Sequence, residues 1–152
     1  MIVFRLTREK YKNDLSGKGA EIYGRRWNNK GTAMLYTCES RSLCIAELVV
    51  NLPFGIVPKD FYLLTIETPV TSKIIELNLD SLPSDWKDFP YPHSTKKIGD
   101  DFIKKKTALI LKVPSAVVPG DFNYLINPSH KDFIKVKIIK KELFEFDRRL
   151  FV

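Results

Sequence analysis

The chain has 152 residues, 44% of them hydrophobic, which suits one globular domain with a sizeable core, and a single domain over 1–152 is expected. No stretch approaches the roughly eighteen apolar residues of a membrane span, and the amino-terminal MIVFRLTREKYKND has no signal-peptide pattern; a cytoplasmic protein without membrane contact is expected. A formal net charge of +7 favours an anionic partner, but Lys and Arg are spread along the chain rather than gathered into a stripe, so direct nucleic-acid binding is not the first expectation.

Ile2 to Leu6 reads as a short entering strand. From Thr7 to Lys30 the chain is polar and glycine-bearing, a long loop with a helical turn around Glu9 to Lys12. Ala33 to Cys38 reads as a buried strand. Ser40 and Ser42 offer capping oxygens to an amphipathic helix over Ser42 to Leu52, stopped by Pro53 and Gly55. Glu47 lies in the middle of that helix among apolar neighbours.

Phe61 to Glu67 is a strand ended by Pro69, and Lys73 to Leu79 suggests another. Pro83, Pro90 and Pro92 exclude regular helix from Leu82 to His93, leaving an ordered loop with Trp86, Phe89 and Tyr91. Thr95 to Lys105 suits a helix capped by Ser94. Ala108 to Val113 is a β-rich run, Asn123 to Ile126 is short and extended, and Phe133 to Lys141 alternates as a half-exposed strand with Ile134, Val136 and Ile138 on one face. Strands outnumber helices, so the fold class is α+β with a mixed, largely antiparallel sheet.

Three local features could carry chemistry. Gly24-Arg25-Arg26-Trp27-Asn28, followed by Gly31, lets guanidinium groups and backbone approach a phosphate together, with Trp27 as a stacking face; the plain alternative is a solvated basic turn. Tyr36 on a buried strand precedes Glu47, an ionisable group that is costly on an apolar helix unless it is paired or faces a cleft. Val113-Pro114-Ser115 ends a strand, where sites are often built. Ser115 has no evident base, which argues against a covalent nucleophile. Cys38 and Cys44, with distant His93 and His130, lack zinc spacing; no metal is expected, and two buried thiols are.

These features, in this order, resemble the RES domain. The likeness runs through Phe4-Arg5-Leu6, Gly24 to Asn28, Gly31-Thr32, Leu35-Tyr36, Ser42-Leu43, Ala46-Glu47, Ile98-Gly99-Asp100, Val113 to Pro119, Asn123 to Pro128 with His130, and Phe146 to Leu150. The resemblance implies a fold similar to diphtheria-type ADP-ribosyltransferases and a toxin–antitoxin toxin that degrades NAD⁺ by cutting its nicotinamide–ribose bond, through hydrolysis or phosphorolysis. NAD⁺ is then a substrate, and no cofactor is implied. The implied catalytic set is Arg26, Tyr36, Glu47 and Ser115, with Arg5, Trp27, Asn28 and Asn127 as substrate-binding candidates. The implied partner is an Xre-type helix-turn-helix antitoxin, and a homodimer within the complex is compatible. Arg25 departs from the pattern, which usually has a second glycine there, and Lys131 stands where proline is common. Two other readings stay open: an ADP-ribosyltransferase acting on a protein, and a basic nucleic-acid-binding module without NAD⁺ chemistry.

Overall fold

The computed structural model describes residues 1–151 and contains one seven-stranded sheet in the order β4-β5-β6-β2-β1-β3-β7. The strands are β1 (Ile2–Arg8), β2 (Leu35–Cys38), β3 (Phe61–Glu67), β4 (Ile74–Glu76), β5 (Ile110–Pro114), β6 (Phe122–Ile126) and β7 (Lys137–Phe144). Three α-helices join them: α1 (Lys18–Tyr23), α2 (Arg41–Val49) and α3 (His93–Lys105). Only β4 and β5 pair in parallel; every other pair is antiparallel. This is the mixed, largely antiparallel α+β arrangement that the sequence implies.

Successive side chains of a strand point to opposite faces, and the core divides accordingly. Leu111, Val113 and Leu125 pack with Trp27, Trp86, Phe102 and Ile103, under α3. Ile110 and Ile126 join Val3, Leu35, Leu64 and Ile66 in a second cluster. A third holds Cys38, Leu43, Cys44 and Leu63, and this one seats α2 against the sheet. Both cysteines are buried free thiols.

α2 forms where its cap dictates. The Ser40 hydroxyl accepts from the Leu43 N–H at 3.1 Å, satisfying one orphan donor of the first turn. The helix ends at Val49, three residues short of the expected Leu52. α3 starts at His93 after Pro92 rather than at a serine cap, because the Ser94 hydroxyl donates instead to Asp85 at 2.7 Å.

Two expectations fail. The polar segment from Thr7 to Lys30 is not all loop: the expected helical turn is present as a 3₁₀ turn at Glu9–Tyr11, but β1 runs on to Arg8 before it and α1 follows, entered through Gly17 at φ 73°. A side chain at Gly17 would collide with the Met34 backbone at 2.7 Å, so the glycine serves both the left-handed entry and the close approach. The last strand begins later than the alternation suggests. Lys131–Lys135 is a 3₁₀ turn, Ile134 is exposed, and β7 extends to Phe144. The turn is started by His130, whose ring Nδ1 accepts from the Asp132 N–H, a local side-chain contact that outweighs the alternating pattern.

β1 and β2 share a single registered pair, Phe4 opposite Cys38. The ladder stops there, while β1 continues along β3 as far as Arg8 opposite Phe61. Where the ladder would have run on, the Arg5 side chain spans the gap, its Nη1 donating to the Tyr36 carbonyl at 3.1 Å. The cleft described next opens at this parting.

Candidate active site

A cleft of ≈ 980 Å³ is lined by β1 with the turns after it, α1, the Arg25-Arg26-Trp27 turn, β2, α2 and its C-terminal extension, the loop bearing Phe89 and Tyr91, and the end of β5 with Asn123 of β6. Its cationic lining is Arg5, Arg8, Lys10, Lys18, Arg25 and Arg26, against the carboxylates Asp14 and Glu47. The balance favours an anionic ligand.

Glu47 reaches the cleft from the second turn of α2. Its Oε1 accepts from the Ser115 hydroxyl at 2.8 Å and from Asn123 Nδ2 at 2.6 Å. Its Oε2 has no hydrogen bond and is not buried among the described residues. No arginine pairs with it, so the ion pair considered for this position is absent among the described residues. Ser115 is buried just past the end of β5, and its oxygen also accepts from the N–H groups of Val117 and Val118 at 3.1 and 2.9 Å. The hydroxyl proton is directed at Glu47, so Ser115 holds the carboxylate from behind while its own oxygen is occupied by two backbone N–H groups.

The arginine turn is held from behind. Arg25 and Asn28 close it through reciprocal backbone bonds at 3.1 and 3.4 Å. The Tyr36 hydroxyl accepts from the Trp27 N–H at 3.1 Å and donates to Asn28 Oδ1 at 2.7 Å. Burial raises the pKa of this phenol above its ordinary value, so it stays protonated as a donor. α3 adds three supports. The Thr95 hydroxyl donates to the Arg26 carbonyl at 2.6 Å, the Asp100 carboxylate accepts from the backbone and side chain of Asn29, and Gly99 lies against the Trp27 carbonyl.

The two arginines of the turn do different things. Arg26 Nη1 donates to the carbonyls of Trp86 at 2.6 Å and Asp88 at 3.0 Å, and its guanidinium lies 5.0 Å from the Tyr91 ring centre. It thereby ties the proline-rich loop to the cleft, and its Nε and Nη2 have no partner among the described residues. Arg25 is exposed, with its guanidinium 6.0 Å from the centre of the Tyr36 ring.

The structure therefore brings Arg26, Tyr36, Glu47 and Arg5 to one cleft, with Ser115 directly behind Glu47. Arg5 Nε is buried without a partner, and burial together with nearby Arg25 lowers the pKa of its guanidinium. Three substrate-binding candidates are placed otherwise. Trp27 touches the cleft but is buried in the core with Trp86 and Met34. The Asn28 amide is fully buried and donates to the carbonyls of Ala20, Asn29 and Thr32. Asn127, also fully buried, donates to Ile103 and accepts from the Ser129 N–H. Both asparagines are fold-holding groups outside the cleft lining. Sequence reasoning missed Asn123, although it stands in the NYLINPSH block; a lone polar amide inside the short extended run FNYLI was the available signal.

The family model described as the RES domain matches residues 2–147. The chain belongs to the RES domain family. It is 40% identical over 153 residues to Toxin Res of Photorhabdus laumondii, covering 99% of this chain and 97% of that protein. It is 36% identical over 140 residues to the "Prs ADP-ribosylating toxin" of a Sphingobium species, covering 91% and 87%. In fold, this RES domain is similar to a chain of the Mycobacterium tuberculosis MbcT-MbcA toxin-antitoxin complex, with a TM-score of 0.69 at 15% identity, covering 99% of this chain and 86% of that one.

Proposed function

We propose that this RES domain is the toxin of a toxin–antitoxin pair and that its cleft cuts the nicotinamide–ribose bond of NAD⁺. The observation that carries the reading is Glu47, a carboxylate with one oxygen pinned by Ser115 and Asn123 and the other open to a cleft lined by arginines. Nicotinamide in NAD⁺ is a cationic leaving group and departs with the bonding electron pair as a neutral molecule. The acid of an ordinary glycosidase pair is therefore dispensable, and one carboxylate suffices. Glu47 Oε2 hydrogen-bonds a ribose hydroxyl and stabilises the positive charge developing at C1′. Water, releasing a proton to solvent, or a phosphate oxygen then bonds to C1′.

The free Nε–Nη2 edge of Arg26 suits two oxygens of a pyrophosphate, the side-on fork that guanidinium groups offer. Arg25 adds a second cation beside it, and the Tyr36 ring supplies an apolar wall. Because the Tyr36 hydroxyl is bonded on both sides to the turn, its part is to hold the arginines in place rather than to touch the sugar.

A second reading shares the bond that breaks and differs in the acceptor: transfer of ADP-ribose to a protein side chain. The name of the Sphingobium relative favours it. Two assays separate these. Purified protein incubated with NAD⁺, with and without phosphate, should release nicotinamide, and Glu47→Gln should not; free ADP-ribose marks hydrolysis and a phosphate-dependent product marks phosphorolysis. Mass spectrometry of exposed extract for added ADP-ribose detects transfer. No release in any condition and no modified protein would overturn both readings.

Control by an Xre-type antitoxin in the cytoplasm belongs to the same proposal. The toxin-antitoxin assembly of the similar fold supports a protein partner, and no helix among the described residues is long and apolar enough to cross a membrane.

A further inference from the structure

We infer that Asn123 is a positioning residue for Glu47: its Nδ2, together with the Ser115 hydroxyl, holds Oε1 so that Oε2 alone is presented to the ligand. The inference rests on the reading of Glu47 as the reacting carboxylate and adds a residue to that machinery.

Three observations converge. First, Asn123 sits on β6 between two strands, registered with Cys38 of β2 and Val113 of β5. An interior strand position favours β-branched or aromatic side chains and disfavours asparagine, and the neighbouring Leu125 and Ile126 show what packing alone selects here. Second, the amide orientation is fixed by chemistry. Nδ2 lies 2.6 Å from Glu47 Oε1; a flipped amide would set a carbonyl oxygen against a carboxylate oxygen, two acceptors with no proton between them. Third, that orientation leaves Asn123 Oδ1 buried without a hydrogen-bond partner. Buried polar atoms are nearly always satisfied, and an orphan requires a reason. An asparagine whose amide must donate to Glu47 supplies one.

The geometry also explains why two donors are present. A carboxylate held at one oxygen by one donor still swings about that bond. Donors from two different strands, the Ser115 hydroxyl just past β5 and the Asn123 amide on β6, define the plane of the group as well as its distance. Ser115 is in turn fixed by the N–H groups of Val117 and Val118, so the whole support is rigid. In this position Asn123 acts through Glu47 and needs no contact with the substrate.

The test uses the 152-residue chain, Asn123→Ala and Asn123→Asp, with nicotinamide release followed across pH and unfolding followed in parallel. Asn123→Ala should keep its melting temperature, since the orphan carbonyl leaves with the hydrogen bond. It should lose about 10- to 100-fold in kcat with little change in KM, the scale on which outer partners tune a reacting group. Asn123→Asp places two carboxyls in contact, which must share a proton to coexist. Its kcat should rise as the pH falls, along a limb that wild type lacks, because the protonated Asp again donates to Glu47. Wild-type kcat in Asn123→Ala, or a wild-type pH profile in Asn123→Asp, would overturn the role. If wild type itself releases no nicotinamide, the proposed reaction fails, and the positioning contact is then decided by NMR. The Asn123 side-chain amide proton should stand downfield and return upfield in Glu47→Gln; an unmoved signal overturns the contact.

Discussion

Ser115 and Glu47, 68 positions apart in the chain, share a hydrogen bond of 2.8 Å in which the serine donates. The same oxygen accepts from the N–H groups of Val117 and Val118. Ser115→Ala therefore removes a donor from Glu47 and leaves two backbone donors without an acceptor. Each unsatisfied buried donor costs about 1–3 kcal/mol, so the variant should unfold at lower urea and show a reduced kcat. Equilibrium unfolding and steady-state nicotinamide release measure the two effects. A covalent adduct on Ser115 in wild type, detected by mass spectrometry of the reacting enzyme, would contradict the supporting role.

Gly99 shows how α3 sets the position of the arginine turn. A Cβ there would stand 1.6 Å from the Trp27 carbonyl oxygen, so helix and turn must separate to admit it. Overpacking of this kind costs about 1–3 kcal/mol. Gly99→Ala should lower thermal stability and raise KM for NAD⁺, since Arg25 and Arg26 move with the turn. Gly19 is the control. It lies in α1 with nothing within 4 Å of a built Cβ, and Gly19→Ala should stabilise by up to about 1 kcal/mol through helix propensity. Calorimetry on both variants should give opposite signs.

The legible part of this molecule is the part written in local patterns. Phe61–Glu67 announces itself as a strand by composition and by the proline after it, and the α2 helix by its serine cap and apolar spacing. Tyr36, Glu47 and Ser115 are found together because their blocks carry a family pattern. What the pattern does not carry is direction. Asn28 and Asn127 stand in the same blocks yet turn inward to satisfy buried carbonyls, and Asn123 turns toward Glu47. Asn28 finds its carbonyls within eight residues of itself, but the partners of the Asn127 and Asn123 amides lie 24 and 76 residues away. The parting of β1 from β2 is equally hidden, because it depends on register between strands and not on either strand's own sequence.

Tyr36 carries a prediction with a pH dependence. Its hydroxyl bonds Trp27 and Asn28 at once, and burial raises its pKa above the ordinary value. A raised folded-state pKa means that the phenol's contribution to stability is fully present below the unfolded value of about 10 and is lost as pH rises beyond it. Tyr36→Phe removes both hydrogen bonds and should cost about 1–3 kcal/mol at neutral pH. The difference in melting temperature between wild type and variant should shrink above about pH 10. A constant difference through the alkaline range would show that the hydroxyl's surroundings do not favour its protonated form.

Arg25 and Arg26 are adjacent, and their variants should fail differently. Arg26 Nη1 holds the carbonyls of Trp86 and Asp88, so Arg26→Ala releases the loop that carries Phe89 and Tyr91 as well as removing a cation. Amide exchange should accelerate from Trp86 to Tyr91, and kcat/KM should fall steeply. Arg25 is exposed and its side chain holds no carbonyl; its backbone closes the turn with Asn28 whatever the side chain. Arg25→Gly, which installs the residue the family pattern usually has, should leave exchange in that loop unchanged. Its effect should fall on KM for NAD⁺, by about tenfold for the loss of one charge-assisted contact of about 1.4 kcal/mol. The KM of wild type should also climb more steeply with salt than that of Arg25→Gly, because an exposed cation is screened within about 10 Å at 0.1 M ionic strength. Equal salt slopes in the two proteins would remove Arg25 from the anion site and leave Arg26 to hold the pyrophosphate alone.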